Sequence, residues 1–408
     1  MPHNWKTYKL GEICEVIGGG TPSTKKTEYY NGDISWITPR DLSGYNSKYI
    51  KKGSRSITKL GLQKSSAKIM PKGTVLLSSR APIGYLAIAL NEISTNQGFK
   101  SLVVNQEFCY NEFIYYLLKN NVDVLLQNAS GSTFQEISGN VVKGLSFPIP
   151  PLPEQRAIAS ILSTIDDQIE NNLAMNKTLE EMAMALYKHW FVDFGPFQEG
   201  NFVESELGEI PEGWEVKTIG GIIETLGGGT PSTKKEEYWK DGEILWYSPT
   251  DLTKSESLFT IEPAKKITEL GLKKSSAKLF PPRCLLMSSR ATIGALSINL
   301  KEASTNQGFI TMVPNEELSV FQLYGWAKYN MDLIISKANG STFKEISKTN
   351  FRALPILKSK KTEEFVLKSK NIFDLIENNI IENQTLIAQR DALLPKLVSG
   401  EVRVKGFE

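Results

Sequence analysis

Histidine is scarce in this chain: His3 and His189 are the only two among 408 residues. Neither recurs at the equivalent place in the other half of the sequence, which argues against an imidazole base, a histidine zinc site or a triad. Cysteine is nearly as rare. Cys14, Cys109 and Cys284 are odd in number, far apart and without a CxxC, so neither a disulfide framework nor structural zinc is expected. They read as small buried apolar residues, and no metal site is expected. Long apolar runs are missing too, with no stretch of the roughly 18 residues that a membrane span requires. The start, MPHNWKTYKLGEI, lacks the basic-then-apolar order of a signal peptide, so the expected location is cytoplasmic with no membrane partner. Neither sign of charge dominates. Forty-seven Lys and Arg against 45 Asp and Glu leave a net +2, which neither demands nor excludes nucleic acid, because distribution over the surface decides that. There is no GxxxxGK[ST] phosphate loop and no NPPY-like motif for amino-methylation. The chain reads as non-enzymatic.

One unit is written twice in this sequence. GGGTPSTKK begins at Gly18 and again at Gly227, ITKLGLQKSSAK at Ile57 answers ITELGLKKSSAK at Ile267, and STNQGF at Ser94 recurs at Ser304. GSTFQEIS from Gly131 returns as GSTFKEIS from Gly340, and IENN from Ile169 returns at Ile376, always in one order. A period of about half the chain is a duplicated domain-sized unit rather than a solenoid repeat. Each unit has two textures. Turns rich in Gly, Pro and Ser with short β-rich runs such as GTVLLSS predict a globular α+β domain. After FPIPPLPEQ no glycine or proline follows until Gly195, which predicts a long helix. The expected layout is residues 1–150, a first recognition-type domain; 151–195, a long helix; 196–360, a linker and second domain; and 361–408, a second long helix.

Both helices carry a heptad seam, through Ile158, Leu162, Ile165 and Ile169 in the first and Phe365, Ile372 and Ile376 in the second. Asn172 and Asn176 occupy the same seam places as Asn379 and Asn383. A buried polar layer weakens a coiled coil but sets its register, so the four asparagines are expected to meet where the two helices pair antiparallel about an internal pseudo-twofold. The alternative is solvated helix-surface asparagine. A helix of this length spans on the order of 50 Å at 1.5 Å per residue, enough to separate two domains for a target with a repeat such as duplex DNA.

FPIPPLPEQRAIASILSTIDDQIENN, YKHWFVDF, LGEIPEGWEV and LLPKLVSGEVRV closely resemble the specificity subunit of type I restriction-modification systems, and GGGTPS…ISWITPRDL with SSRAPIG…STNQGF resemble that family's target recognition domains. The resemblance runs through essentially the whole chain in the family's order. It implies a DNA-reading subunit of double-stranded DNA, one recognition domain per half of a split target, with helices that dock two adenine N6-methyltransferase subunits. Nuclease/translocase subunits are the further partners it implies, and S-adenosylmethionine is expected on the methyltransferase with no cofactor on this chain.

The duplication also separates scaffold from readout: what both copies share is structural or touches phosphate, and what differs can distinguish half-sites. Divergence is sharpest after the shared tryptophans, where Arg40, Tyr45, Asn46 and Lys48 in WITPRDLSGYNSKYI stand against Thr250 and Ser255 in WYSPTDLTKSESLFT. Arginine grips guanine O6 and N7, whereas threonine suits a thymine methyl or a weaker hydrogen bond. The plain alternative is an exposed loop free to drift. Arg80, Asn96 and Gln97, with their counterparts Arg290, Asn306 and Gln307, are shared and read as structural or phosphate-positioning. Ser132, Thr133, Ser341 and Thr342 of GSTF read as helix caps or phosphate contacts, and Trp36 and Trp246 as core. The glycine run with Lys25, Lys26, Lys234 and Lys235 is an anion-cradle candidate, with DNA backbone ranked above nucleotide and a plain turn equally open. Trp190, Phe191 and Phe194 close the first helix; they either pack on the second helix or dock the methyltransferase. Rivals to DNA reading are a DNA-independent coiled-coil scaffold and an enzyme using the glycine loops.

Overall fold

The computed structural model describes residues 2–131, 135–255, 257–340, 344–359 and 362–407. Ser132, Thr133, Ser341 and Thr342 therefore lie outside the described residues. The chain folds into two compact units, Met1–Asn172 with Glu382–Glu408, and Leu173–Ile381. Compactness thus divides the chain through the middle of both long helices and not at residues 150, 195 and 360, because each half-helix buries its apolar face inside one unit.

Both units hold the same pair of sheets. In the first, five strands run in the order Cys14–Gly18, Lys100–Val104, Val75–Ser79, Ile83–Ala89 and Tyr49–Ile50, all antiparallel except the last pair. In the second the order is Glu224–Gly227, Phe309–Val313, Leu285–Ser288, Leu296–Asn299 and Phe259–Thr260, again parallel only at the final pair. A three-stranded sheet accompanies each: Arg55–Ile57, Tyr30–Ile37 and Ser94–Thr95, or Lys265–Ile267, Ile244–Tyr247 and Ala303–Thr305. The central strand of each larger sheet is buried along its whole length, which suits its unbroken apolar-to-small run. Alternation sorts its side chains. Val75 and Leu77 face the cluster that includes Phe113, Ile158 and Leu162, while Leu76 faces Ile37, Ala87 and Phe99. Leu285 and Met287 against Leu286 repeat the split in the second unit. The α+β class expected from the texture is present in both.

The first long helix runs Leu152–Phe191 and the second Glu363–Ser399. Pro153 sits in the first turn, where a missing N–H costs nothing. The buried Gln155 side chain donates to the carbonyls of Pro150 and Phe108 and accepts from the Tyr110 amide, so the helix start is tied to the recognition domain. The helix stops where Phe194 turns left-handed at φ 51° and Gly195 passes over the His189 ring, where a β-carbon would lie 1.9 Å from Cε1.

Within the first unit the two helices are antiparallel. Asn172 donates to Asn383 Oδ1 at 2.9 Å, Arg390 donates to Asp166 at 2.9 Å, and Arg403, past the helix end, grips Glu154 through both oxygens at 2.5 and 3.0 Å. Asn383 also reaches the Ile169 carbonyl. Within the second unit Asn379 donates to Asn176 at 2.8 Å, and Phe365 packs on Trp190 and Phe191. The asparagines thus bond in two pairs, Asn172 with Asn383 and Asn176 with Asn379.

Glu154 is fully buried, and the Trp5 indole N–H completes its set of donors. Replacing Arg403 with Ala leaves that carboxylate without its countercharge, a loss of about 3–5 kcal/mol. Chemical denaturation of Arg403→Ala should show it, and the double variant Glu154→Gln/Arg403→Met should recover most of it. Equal losses in the single and double variants would mean that Arg403 contributes packing and not charge pairing.

Candidate nucleic-acid interface

The glycine run of each unit is held from inside. Gly20 and Gly229 donate their amides to the carbonyls of Thr95 and Thr305 at 2.9 Å, and accept from the indoles of Trp36 and Trp246 at 2.9 Å. Gly19 donates to the Phe99 carbonyl as well. A β-carbon on Gly20 would fall 2.2 Å from the Ala67 amide, so only glycine fits there. The amides of Gly19, Gly20 and Gly229 are spent on the scaffold and are not free to cradle a phosphate. Lys25, Lys26, Lys234 and Lys235 remain exposed beyond the run. Lys26 and Lys235 lie 3.8 Å from Glu28 and Glu237, contacts of little worth at the surface.

The TNQG turn joins the same cluster. Asn96 and Asn306 each accept from the amide two residues on, at 2.9 and 2.8 Å, an Asx turn. Gln97 accepts from Thr21, and Gln307 from Thr230 at 2.6 Å, so the turn is bolted to the glycine run. Space at Gly98 and Gly308 is filled by Pro39 and Pro249, 3.0 Å from where a β-carbon would sit. Three loops therefore converge in each unit, and the third presents the divergent residues. Its base is rigid: Asp41 accepts from Thr38 and from the Ser54 amide, as Asp251 does from Ser248 and the Ala264 amide. Burial works to raise the Asp41 carboxyl, but these hydrogen bonds outweigh it and hold the group below its ordinary range. From that base Arg40 in one unit and Thr250 in the other stand exposed.

A family model described as the type I restriction modification DNA specificity domain matches residues 2–181 and 211–389, one copy per repeat. The chain belongs to this family. It is similar to the type I restriction enzyme MjaIX specificity subunit of Methanocaldococcus jannaschii, 37% identical with 99% of this chain and 95% of that one covered. The HindI specificity subunit of Haemophilus influenzae is 25% identical, covering 98% of this chain and all of its own length (100%). The crystal structure of the S subunit from M. genitalium shares the fold, with a TM-score of 0.60 at 19% identity over 97% of this chain and 96% of that one. The protein is accordingly a type I specificity subunit with two DNA target recognition domains.

Several expected site residues of this specificity subunit lie elsewhere than on an exposed reading surface. Lys48 is 2% exposed; its ammonium sits 3.2 Å from Asp167 and 3.7 Å from Glu112, and its amide donates to Glu170. It fastens the recognition domain to the first helix, and is withdrawn from base reading. The Arg80 guanidinium donates to the Glu136 carboxylate at 3.3 Å, and the same two residues form a backbone bridge that Arg290 and Glu345 repeat. Tyr45 and Asn46 stay exposed, with the Tyr45 hydroxyl donating to the Tyr49 carbonyl. Ser255 closes the helix Pro249–Ser255, which replaces the shorter turn Pro39–Leu42 of the first unit. Trp190 and Phe191 are buried among Phe365, Trp214 and Tyr187, and Phe194 packs edge-on against Trp214. Of the two roles open to them, packing is the one they fill, and as buried rings Trp190 and Phe191 are withdrawn from methyltransferase docking.

What the heptad reading missed is the outer face of the helices. Met175, Met182, Leu367 and Leu375, all in the second unit, are half or more exposed at 50%, 52%, 62% and 51%. They lie off the packing seam and are left uncovered within this chain. Their signal was present in the sequence as apolar residues off the seam. Among the described residues no group of three or more His, Cys, Asp or Glu could hold a metal, and no helix is long and apolar enough to cross a membrane. The three cysteines are buried, with burial pushing Cys14 and Cys284 up to about 12 and Cys109 to about 11, which makes them inert at neutral pH.

The Lys48 cluster also sets a pH response. Burial tends to raise the Glu112 carboxyl, but hydrogen bonds from Ser163, Tyr49 and Tyr110 and the Lys48 charge bring it below the ordinary glutamate range. A carboxyl lowered in the folded state contributes stability above its unfolded pKa and loses it as pH falls through the folded one. Urea midpoints followed from neutral pH downward should fall less steeply for Glu112→Gln than for the wild type. Parallel curves would show that Glu112 is not among the groups whose protonation loosens the first unit.

Proposed function

We propose that each recognition domain reads one half of a bipartite duplex target, and that the long helices dock two adenine N6-methyltransferase subunits. In this reading the chain performs no catalysis, S-adenosylmethionine is bound by the methyltransferase, nuclease/translocase subunits join the assembled core, and the complex works in the cytoplasm. The observation that carries it is the loop cluster built twice on one scaffold, with an exposed Arg40 where the other copy has Thr250. Identical supports with different tips suit one protein reading two related half-sites. Because so much of the two domains is shared, the half-sites should resemble each other in inverted orientation. Docking is supported by the exposed methionines and leucines of the helices, since unbranched Met side chains adapt to a partner surface.

Single-molecule methylation mapping of DNA from cells expressing the chain with the adjacent adenine methyltransferase is the direct test. A split motif with N6-methyladenine on opposite strands, lost when this chain is absent, is expected. A stable complex without methylation would favour a scaffold that does not bind DNA. In the same assay Arg40→Thr should alter preference at one position of one half-site, with a discrimination of about 1–3 kcal/mol lost there. A uniform loss across sequences would instead make Arg40 a phosphate contact.

A further inference from the structure

Beside the second unit's glycine run lies a cleft of about 510 Å³ bordered by Lys234, Lys265, Lys266 and the Trp239 ring. Its floor is fixed. The Trp239 indole donates to the Ser232 carbonyl at 3.1 Å and packs edge-on against Trp246 at 5.0 Å. The Lys265 ammonium rests over the Trp239 ring, 5.5 Å from its centroid. Of the acids nearby, Glu236 lines the cleft and lies 3.2 Å from Lys240 in an exposed contact, and Glu262, 3.9 Å from Lys266, also lies 3.2 Å from Lys301. Among the described residues neither Lys234 nor Lys265 has an ion-pair partner. Two ammonium groups without an ion-pair partner bordering one cleft give it a positive field that suits an anion.

The first unit repeats the ring and its cation with other residues. Tyr30 takes the place of Trp239, and its hydroxyl donates to the Pro22 carbonyl at 2.6 Å. Arg55 takes the place of Lys265, with its guanidinium 4.3 Å from the centroid of Tyr30 and 5.6 Å from that of Trp36. An aromatic ring tied to the glycine-run loop thus carries a cation in both copies. The charge is kept while the shape changes from a planar fork to a point. Base-edge recognition depends on donor geometry, whereas a phosphate accepts either cation.

We propose that this cleft clamps the phosphate backbone of duplex DNA, with Lys234 and Lys265 as its contacts in the second unit and Arg55 as the corresponding cation in the first. The proposal rests on the DNA-reading function above and assigns these residues to positioning, not to sequence choice. Each phosphate contact contributes about 0.9 to the slope of log affinity against log salt. The assembled methyltransferase complex should therefore be titrated with duplex carrying its mapped motif and with unrelated duplex, over a range of salt. For Lys234→Gln/Lys265→Gln the slope should fall by about 2, and affinity near 0.15 M salt by on the order of 30-fold on both duplexes. Lys234→Gln alone should lower the slope by about 1, and neither variant should change the methylated motif. An unchanged slope in variants that still assemble would overturn the clamp, as would a motif altered at one position, which would make the cleft a base reader. A wild-type complex that neither binds nor methylates any duplex would overturn the DNA-reading function itself, so the two failures are distinct.

Discussion

Carboxylates on the first long helix fasten the packing inside each unit. Glu154 is gripped by Trp5 and Arg403, Asp166 by Tyr116 and Arg390, Asp167 and Glu170 by Lys48, and Glu180 by Tyr324 and Lys328. A 40-residue helix offers only a narrow apolar stripe, and these acids extend its grip sideways onto the recognition domains. Glu154 and Asp166 are buried, so each of these two is costly unless its partners are in place, and the arrangement favours one docking geometry over near alternatives. The recognition loops stand at the far side of a sheet whose near side is sealed by this helix. Their placement inherits its rigidity.

Duplication explains why two reading heads exist, and the differences between copies explain how they stay distinct. Tyr116 and Tyr324 lie on corresponding helices, one residue out of strict equivalence because Tyr324 matches Tyr115, and each hydroxyl reaches a carboxylate of the first helix, Asp166 in one unit and Glu180 in the other. The seam itself has diverged. Where the first unit pairs Asp166 with Arg390, the equivalent second-unit residues are Phe373 and Ala183, both buried. A charged pair and an apolar pair of this kind do not interchange, because either mixed combination would bury a lone charge. The divergence at the helices therefore fixes which half-helix belongs to which unit, while the divergence at Arg40 and Thr250 concerns what each unit reads.

Local signals were legible wherever one residue type has a strong backbone consequence. The long glycine- and proline-free stretch marked the first helix almost to its ends, the heptads located both asparagine pairs, and the repeat announced two copies of one α+β unit. Burial was harder to see. Lys48 looked like a loop cation because its neighbours Tyr45 and Asn46 are exposed, yet Asp167 and Glu112, distant in sequence, close over it. Trp190 and Phe191 were open to either packing or docking, because a terminal aromatic cluster has no visible partner until Trp214 and Phe365 fold onto it. In each case the missing information was a long-range contact.

The sequence by itself determined the duplication, the helix lengths, the family and the loop in which the two copies differ, because all of these follow from order and composition along the chain. Only the tertiary structure decided which cations face solvent, where the glycine amides are spent, and that an aromatic ring carries Arg55 in one unit and Lys265 in the other. The reason is that exposure and charge pairing belong to surfaces assembled from segments far apart in the chain. Spacing along one segment carries no record of what the other segments bring to it.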